Sequence, residues 1–509
     1  MVVVEASKLK LPTPSISSFP PLTTSLLFEP HSLSLALMHS DSSFSLYPSL
    51  SPLSLSSLPP PQTLIPPPSS SSTFLLLQNP SPNTNPNPRA LFVVSGPYRG
   101  GSSVLLRFYV LLRKSNSFAR ARLVCNQRGL RFDDKLGVLV DVNHGVSVRL
   151  SGSVNFFAMH SVSSSKIFVF AVRTVGDDGD DDGVVLKLMR CAVIECSMPV
   201  FSISVSSGFL ILGEESGVRV FNLRPLVKGR ARKVNNLSLN SNLGMNLANG
   251  KLESRGFHLP NGLIGGDYAK HGGGKNGGEG AFWITRNGYL NGRVDKHYGS
   301  VKQSSIKLRQ DSSEGGACFV AFRSGEMGSS ASTRKLQMSV KAISIQALSP
   351  KKFVILDSVG ELHLLHLSNS VIGSDSSYHM KQLPHIMEVR KLAVFPDVSI
   401  RNQTVWITDG CYSVHMMAVS DMDAAVNENG RNESEEKLMQ ISVSQAIFTG
   451  EKIEDITPLA LNAVLILGQA IFRSSMYQGL LDDVCEFEWV PGSIVLYTEH
   501  STALEGELG

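Results

Sequence analysis

One phrase recurs along this chain: about four apolar-rich residues, a short polar break, then a second apolar-rich run. It stands at Gly208–Pro225 (GFLILGEESGVRVFNLRP), Lys352–Asn369 (KFVILDSVGELHLLHLSN) and Thr404–Asp421 (TVWITDGCYSVHMMAVSD). It stands also at Ser34–Leu50 (SLALMHSDSSFSLYPSL), inside a Ser/Pro-rich N-terminal stretch. β-Branched and aromatic residues flanking a turn predict a β-hairpin, and Asp409-Gly410 is the strongest turn dipeptide of the set. A further strand precedes each hairpin, at Thr23–Pro30, Val200–Ser206, Val340–Pro350 and Val389–Asp397.

Weaker copies follow the same order. Ser72–Asn79 leads to Ala90–Leu112, Val154–Ser161 leads to Lys166–Ile194, and Ile453–Met476 holds the last copy. Arg120–Cys125, Val146–Leu150 and Leu438–Phe448 are the segments expected to supply fourth strands. A four-stranded antiparallel unit cannot cover both of its faces alone. Repeated about seven times, it closes into a ring in which each sheet covers its neighbour. The predicted fold is therefore all-β, a single β-propeller of about seven four-stranded blades. Val2–Glu5 is expected to pair with the last blade and close the ring.

The hairpins resemble the two central strands of WD-repeat blades, and Leu35–Ser49 (LALMHSDSSFSLYPS) carries the similarity best. The Trp-Asp pair that ends such repeats is replaced by Tyr47-Pro48, Phe221-Asn222, Leu365-His366 and Met417-Ala418. The resemblance implies a non-enzymatic scaffold that binds proteins as a subunit of a larger assembly.

Composition refines this. Charged residues are 18% of the chain, few for a protein of amphipathic helices, and the six cysteines include no C-x-x-C pair. That pattern speaks against a disulfide framework or zinc site and suits a reducing compartment. No apolar run approaches the roughly 18 residues of a membrane-spanning helix. The first Arg is Arg89, which speaks against an Arg-rich transit peptide. Nucleus or cytoplasm is the expected location, a plastid less so. If Ser34–Leu50 is the centre of the first blade, removing residues 1–60 should open the ring rather than mature the protein.

Charge is uneven. From Val227 to Gln337 there are 17 Lys/Arg against 7 Asp/Glu, leaving 30 against 36 elsewhere. The same segment holds 20 of the 43 glycines. The expected organisation is 1–226 as blades one to four, 227–280 as a flexible basic Gly/Asn-rich insertion, and 281–337 as a partly ordered insertion or extra blade. Residues 338–480 form the second half of the ring and 481–509 an irregular tail, in which Ser493–Thr498 could add one strand. Lys228, Arg230, Arg232 and Lys233 form the densest basic cluster. They are expected to act in nuclear import or docking, with a solvated charge run as the plainer reading.

Catalytic, cofactor and metal signatures are absent. Lys275 of the glycine run Gly272–Gly280 is followed by Asn276, so no phosphate-binding loop forms. Asp178–Gly183 begins like a calcium loop, but Met189 stands where the bidentate Glu belongs. An acidic hairpin tip is the better reading. His363 and His415 fall at equivalent places in two hairpins, which is repeat register rather than a metal pair. No cofactor is expected, and protein partners come first. Two alternatives stand beside the scaffold: a propeller enzyme with a central-channel site, and a protein that binds nucleic acid through the basic insertion.

Overall fold

A computed structural model describes residues 2–9, 21–50, 58–78, 88–228, 305–322, 339–367, 378–421, 439–477 and 484–501. Short breaks within these ranges fall at 126, 128, 134–135, 143–145, 176–183, 313–315, 385–386, 396–401, 470 and 491–492. The chain starts on β1 (Val2–Leu9). The first blade is β2 (Thr23–Glu29), β3 (Ser34–His39), β4 (Phe44–Tyr47) and β5 (Thr63–Ile65). The second holds β6 (Ser71–Leu77), β7 (Arg89–Tyr98) and β8 (Ser103–Leu112), followed by β9 (Ser117–Arg120), β10 (Arg122–Val124), β11 (Leu130–Asp133) and β12 (Gly137–Val140). β13 (Val148–Gly152), β14 (Phe156–Ser161), β15 (Lys166–Val175) and β16 (Val185–Glu195) form the third.

The fourth blade is β17 (Ser202–Ser206), β18 (Phe209–Glu214) and β19 (Gly217–Asn222), then α1 (Leu223–Lys228), β20 (Ile306–Arg309) and the outer strand β21 (Cys318–Ala321). The fifth is β22 (Ala342–Ser349), β23 (Lys352–Asp357), β24 (Leu362–Leu367) and β25 (Tyr378–Gln382). The sixth is β26 (Lys391–Val394), β27 (Asn402–Thr408), β28 (Ser413–Asp421) and β29 (Met439–Phe448). The seventh is β30 (Ile453–Ala460) and β31 (Ala463–Gly468), a separate hairpin of β32 (Ile471–Tyr477) and β33 (Val484–Val490), and β34 (Ile494–Ser501).

The molecule is a seven-bladed β-propeller. β1 is the outer strand of the seventh blade, with Val2 opposite Ser501 and Leu9 opposite Ile494. The closure expected at Val2–Glu5 therefore forms and runs four residues further. Ser34–Leu50 supplies the two central strands of the first blade, as its pattern indicated.

The apolar pattern follows from burial on two sides. A central strand lies between two neighbouring blades, so both of its faces are covered and its sequence reads as a continuous apolar run. β23 shows this directly. Phe353 and Ile355 pack with Ile211 and Val220 of the fourth blade, whereas Val354 and Leu356 pack with Val405 and Ile407 of the sixth. Among the described residues seven such clusters occur, one at each blade boundary, including Leu35 and Leu37 with Leu465 and Leu467 where last meets first. Each fully buried Leu, Ile or Phe contributes about 1.5–3 kcal/mol.

Small polar side chains stitch the inner strands. Ser71 Oγ accepts from Leu150 N (2.9 Å), Ser151 Oγ from Val205 N (2.9 Å), and Ser202 Oγ donates to Ala342 O (2.8 Å). Asp455 accepts from Ser25 Oγ (3.1 Å) and Leu26 N (3.0 Å) of the first blade, and Lys391 of the sixth lies 3.5 Å away.

Several expected strands sit elsewhere. Val146–Leu150 does not end a blade: β13 is the innermost strand of the third, so Val154–Ser161 holds its second strand. Arg120–Cys125 splits, β9 pairing with β8 and β10 running parallel to β16 of the next blade. The outer position of the second blade goes instead to β12, beside the first half of β8. Leu438–Phe448 does end the sixth blade, as β29. The fourth blade does not finish by residue 226, because its outer strand is β21. The tail from 481 is not irregular throughout, since β34 is the third strand of the seventh blade.

The segment between Lys228 and residue 305 is anchored at both ends on β16. α1 packs against that strand, and β20 pairs with its final residues Ala192–Glu195. β10 covers its first residues, and Gln127 bridges the gap by bonding Arg190 N (2.5 Å) and O (3.1 Å). The edge is thus covered along its length, which blunts strand-to-strand association. Just after β20, the fully buried Gln310 donates to Glu214 Oε1 (2.6 Å) and accepts from Met198 N (3.0 Å).

Candidate interaction surface

Antiparallel blades place two sets of connections at one end of the ring: the turns between second and third strands, and the links from each outer strand to the next blade. This turn face is where side-chain chemistry collects.

In three blades a polar residue at the end of the second strand bonds a side chain on the third. His39 Nε2 lies 2.7 Å from Ser45 Oγ, Arg219 donates to Glu214 at 2.6 and 3.0 Å, and His363 Nε2 lies 2.9 Å from Asp357 Oδ2. Asp357 also accepts from Val359 N and Glu361 N, both at 2.9 Å, which fixes its turn. Burial works to raise its pKa, but the bonds from His363 and the two amides outweigh it and hold the carboxyl below the ordinary range. Burial likewise pulls His39 down, with Asp41 opposing. Phe322, at the end of the fourth blade, stacks on His363 with ring centroids 4.1 Å apart. These cross-strand pairs tighten the turns of a chain that lacks the Trp-Asp ending.

The register equivalence of the two histidines holds: His363 lies opposite Ile355 and His415 opposite Ile407. His363 is buried and His415 half-buried. Among the described residues, no group of three or more His, Cys, Asp or Glu could hold a metal.

Over the sixth and seventh blades the turn face changes character. Tyr412 is 56% exposed, Phe448 76% and Val359, in the fifth-blade turn, 54%. Tyr412 and Phe448 are neighbours, because Phe448 pairs with Ser413 and Thr449 N donates to Tyr412 O (2.8 Å). Asp409 Oδ1 accepts from Cys411 N (2.8 Å), and Gly410 takes a positive φ of 74°, so the Asp-Gly turn presents Tyr412 outward.

Beside this pair lies a cleft of about 150 Å³, lined by Lys8, Thr449, Glu451, Gly468, Ser493 and Tyr497 among others. Glu451 Oε2 accepts from Ser493 N (3.0 Å) and Oγ (2.7 Å), and Lys8 Nζ lies 3.6 Å from Oε1. Burial would raise the Glu451 pKa, but the Ser493 bonds and Lys8 bring it below the usual value. Burial and that same carboxylate push Tyr497 up. Gly468 makes the cleft possible, because a Cβ there would sit 2.2 Å from Glu451 Oε2. An apolar shelf next to a fixed carboxylate suits a protein surface with an aromatic or aliphatic anchor and a donor beside it.

Of the basic cluster read from sequence, Lys228 is the last residue of α1, and Arg230, Arg232 and Lys233 lie outside the described residues. So do the 230–304 part of the basic insertion and the acidic run at 178–183. Sequence reasoning marked the Asp409-Gly410 turn but missed Tyr412, Phe448 and the Glu451 cleft. The one available signal was the strength of that turn, which places the next side chains at a tip.

No protein-family model matches the chain, and no curated protein does. Solved structures similar to it include U3-55K, at 8% identity and a TM-score of 0.39, covering 97% of this chain and 98% of that one. Another is the β-propeller domain of Myceliophteria thermophila Cps50 (Swd1), at 8% identity and a TM-score of 0.42, covering 97% and 99%. A third is the WD40 domain of SCAP from fission yeast, at 9% identity and a TM-score of 0.35, covering 98% and 87%. At these scores the likenesses carry no argument; what stands is the fold, a seven-bladed β-propeller whose central hairpins resemble those of WD-repeat blades.

Proposed function

We propose that this protein is a non-enzymatic scaffold, a subunit of a larger assembly that docks a protein partner on its turn face over the fifth to seventh blades. The observation that carries this reading is the exposed Tyr412–Phe448 pair beside the Glu451 cleft. Tyr and Phe are enriched at the cores of protein interfaces, and a rigid ring presents them at low entropic cost. The polar groups of the inner strands support the same reading, because Ser71, Ser151, Ser202 and Asp455 are spent joining blades. The cluster at Lys228, Arg230, Arg232 and Lys233 is read as an import or docking element of a nuclear or cytoplasmic protein. Among the described residues no helix is long and apolar enough to cross a membrane.

The test is purification of the full tagged chain beside the variant Tyr412→Ser/Phe448→Ser, with thermal melting as a folding control. A short crosslinker placed on the exposed Cys411 should join to the same partner. Loss of that partner from an equally stable variant supports the reading. An unchanged partner set, or no stable partner for the parent chain, refutes it.

A further inference from the structure

The cleft beside Tyr412 and Phe448 is built on one face of the seventh blade. Ile466 of β31 pairs with Val495 of β34, and Val495 with Lys8 of β1, so these three share a face. Gly468 and Tyr497 fall on the same face, two residues along their strands. Over that face passes the link from the sixth blade, Thr449–Glu451, which follows directly on Phe448. Thr449 Oγ1 donates to Glu451 O (2.7 Å), Ile453 N to Cys411 O (2.9 Å) and Gly468 N to Ser493 O (2.7 Å). Wall and floor of the cleft are therefore held by backbone bonds at both ends.

The two oxygens of Glu451 are used unequally. Oε2 takes both bonds from Ser493, at 3.0 and 2.7 Å, which fixes the carboxylate. Oε1 has Lys8 Nζ at 3.6 Å, longer than a hydrogen bond, on a side chain that is 68% exposed. An exposed pair of this kind is weak, so Lys8 gives way at little cost. Tyr497 is half-buried: it packs against the Trp406 cluster and also lines the cleft. Charge around the cleft is balanced, Lys452 and Glu454 offsetting each other and Lys391 lying 3.5 Å from Asp455. The pull on a cation is thus local to the Glu451 carboxylate.

We propose that this cleft takes an arginine side chain of the protein docked on the shelf, its guanidinium on Glu451 Oε1 and against the Tyr497 ring; the inference rests on the reading of that shelf as a protein-binding surface. Chemistry, size and reach all favour arginine. A planar guanidinium bonds a carboxylate and stacks on an aromatic face at once, whereas an ammonium only repeats what Lys8 supplies. The cleft of about 150 Å³ is of the size that holds a benzene-sized group, which a guanidinium with its adjoining methylenes matches. Phe448 and Glu451 are three residues apart, at most about 11 Å of extended chain, so one short segment of a partner spans both shelf and cleft.

The experiment titrates the full chain with acetyl-arginine amide, and with acetyl-citrulline amide as its uncharged isostere, by ligand-observed NMR. Arginine should bind saturably and about tenfold or more tighter than citrulline, the margin of one charge-assisted hydrogen bond. Glu451→Gln should erase that margin, because its carbonyl keeps the Ser493 bonds while its amide faces the guanidinium; an unchanged melting curve verifies the fold. Tyr497→Leu leaves the carboxylate and removes the ring, and should weaken arginine binding about two- to fivefold. Lys8→Ala should bind arginine at least as tightly as the parent. In the partner purification, Glu451→Gln should release the partner that Tyr412→Ser/Phe448→Ser releases. No saturable arginine binding by the parent, equal binding of citrulline, or unchanged binding by Glu451→Gln overturns the inference. If the shelf variant loses the partner and Glu451→Gln keeps it, the inference falls and the shelf stands. Arginine bound through Glu451 by a chain with no stable partner supports the cleft and sinks the shelf reading alone.

Discussion

Glu214→Gln is the sharpest test of how the chain returns to the ring after its long insertion. Glu214 is 3% exposed and accepts three bonds, two from Arg219 and one from Gln310. The substitution keeps the shape and removes the charge. Breaking a buried ion pair from one side costs about 3–5 kcal/mol. Arg219 keeps some of its environment, since its side chain is 15% exposed and its guanidinium lies 5.3 Å from the Phe319 ring centroid. The lower end, about 3 kcal/mol, is therefore expected. The loss should concentrate where Gln310 anchors β20, because Gln310 N and side chain tie that segment to Glu195 O and Met198 N. In hydrogen exchange read by mass spectrometry, amides of residues 306–312 should exchange about two decades faster, at 1.4 kcal/mol per decade. Glu195→Gln is the control: its ion pair with Lys166 is exposed and 3.9 Å long, so exchange should not change. Exchange of 306–312 within threefold of the parent, at an unchanged urea midpoint, would refute the argument that this buried network holds the returning chain.

Three further outcomes are expected. His160 is 2% exposed, and burial, aided by Arg149, lowers its pKa to about 4, so the unfolded chain binds the proton more readily between about pH 6.5 and 4. Stability should be full above 6.5 and fall as pH drops through that window, by up to about 3 kcal/mol, and His160→Gln should flatten the urea midpoint over the same range. Leu9→Ala should cost about 2–5 kcal/mol in urea unfolding, since Leu9 is 3% exposed within the closing cluster. Lys8→Ala, whose side chain is 68% exposed, should cost less than about 1 kcal/mol.

The ring was legible where burial is symmetrical. Central strands such as Phe209–Glu214 and Lys352–Asp357 are covered on both faces, and each ends on a polar residue that fixes a turn. That combination gives four apolar letters and a break, and it survives the loss of the Trp-Asp ending. Outer strands lack the constraint. Thr63–Ile65 and Cys318–Ala321 are short and half-covered, so nothing forces an apolar run. β21 is separated from its partner β19 by the whole insertion, a distance at which local pattern carries no pairing information. The third blade misled for a related reason: Val148–Gly152 includes a half-exposed face and a terminal Gly, and reads as weaker than the Phe156–Ser161 strand that follows it.

Charge was less legible than strands, and the reason is averaging. Counting 227–337 against the remainder leaves the remainder acidic, 30 Lys/Arg against 36 Asp/Glu, and a reader then stops looking for basic surface on the ring. Yet Ser42–Phe132 contains no acid at all. Only the fold turns that stretch into a surface, because its arginines include Arg107, sealed against Pro66 and Ser69, and Arg131, paired with Asp141. What decides between the two fates is strand phase at the blade edge. At β10, Ala121 and Leu123 are buried, and Arg122 between them faces out. A one-residue slip of β10 against Val185–Lys187 would bury Arg122 and expose Leu123, costing a desolvated guanidinium and an apolar contact and gaining only the burial of Val124. The phase that presents Arg122 is thus enforced by the packing of β10 on the third blade.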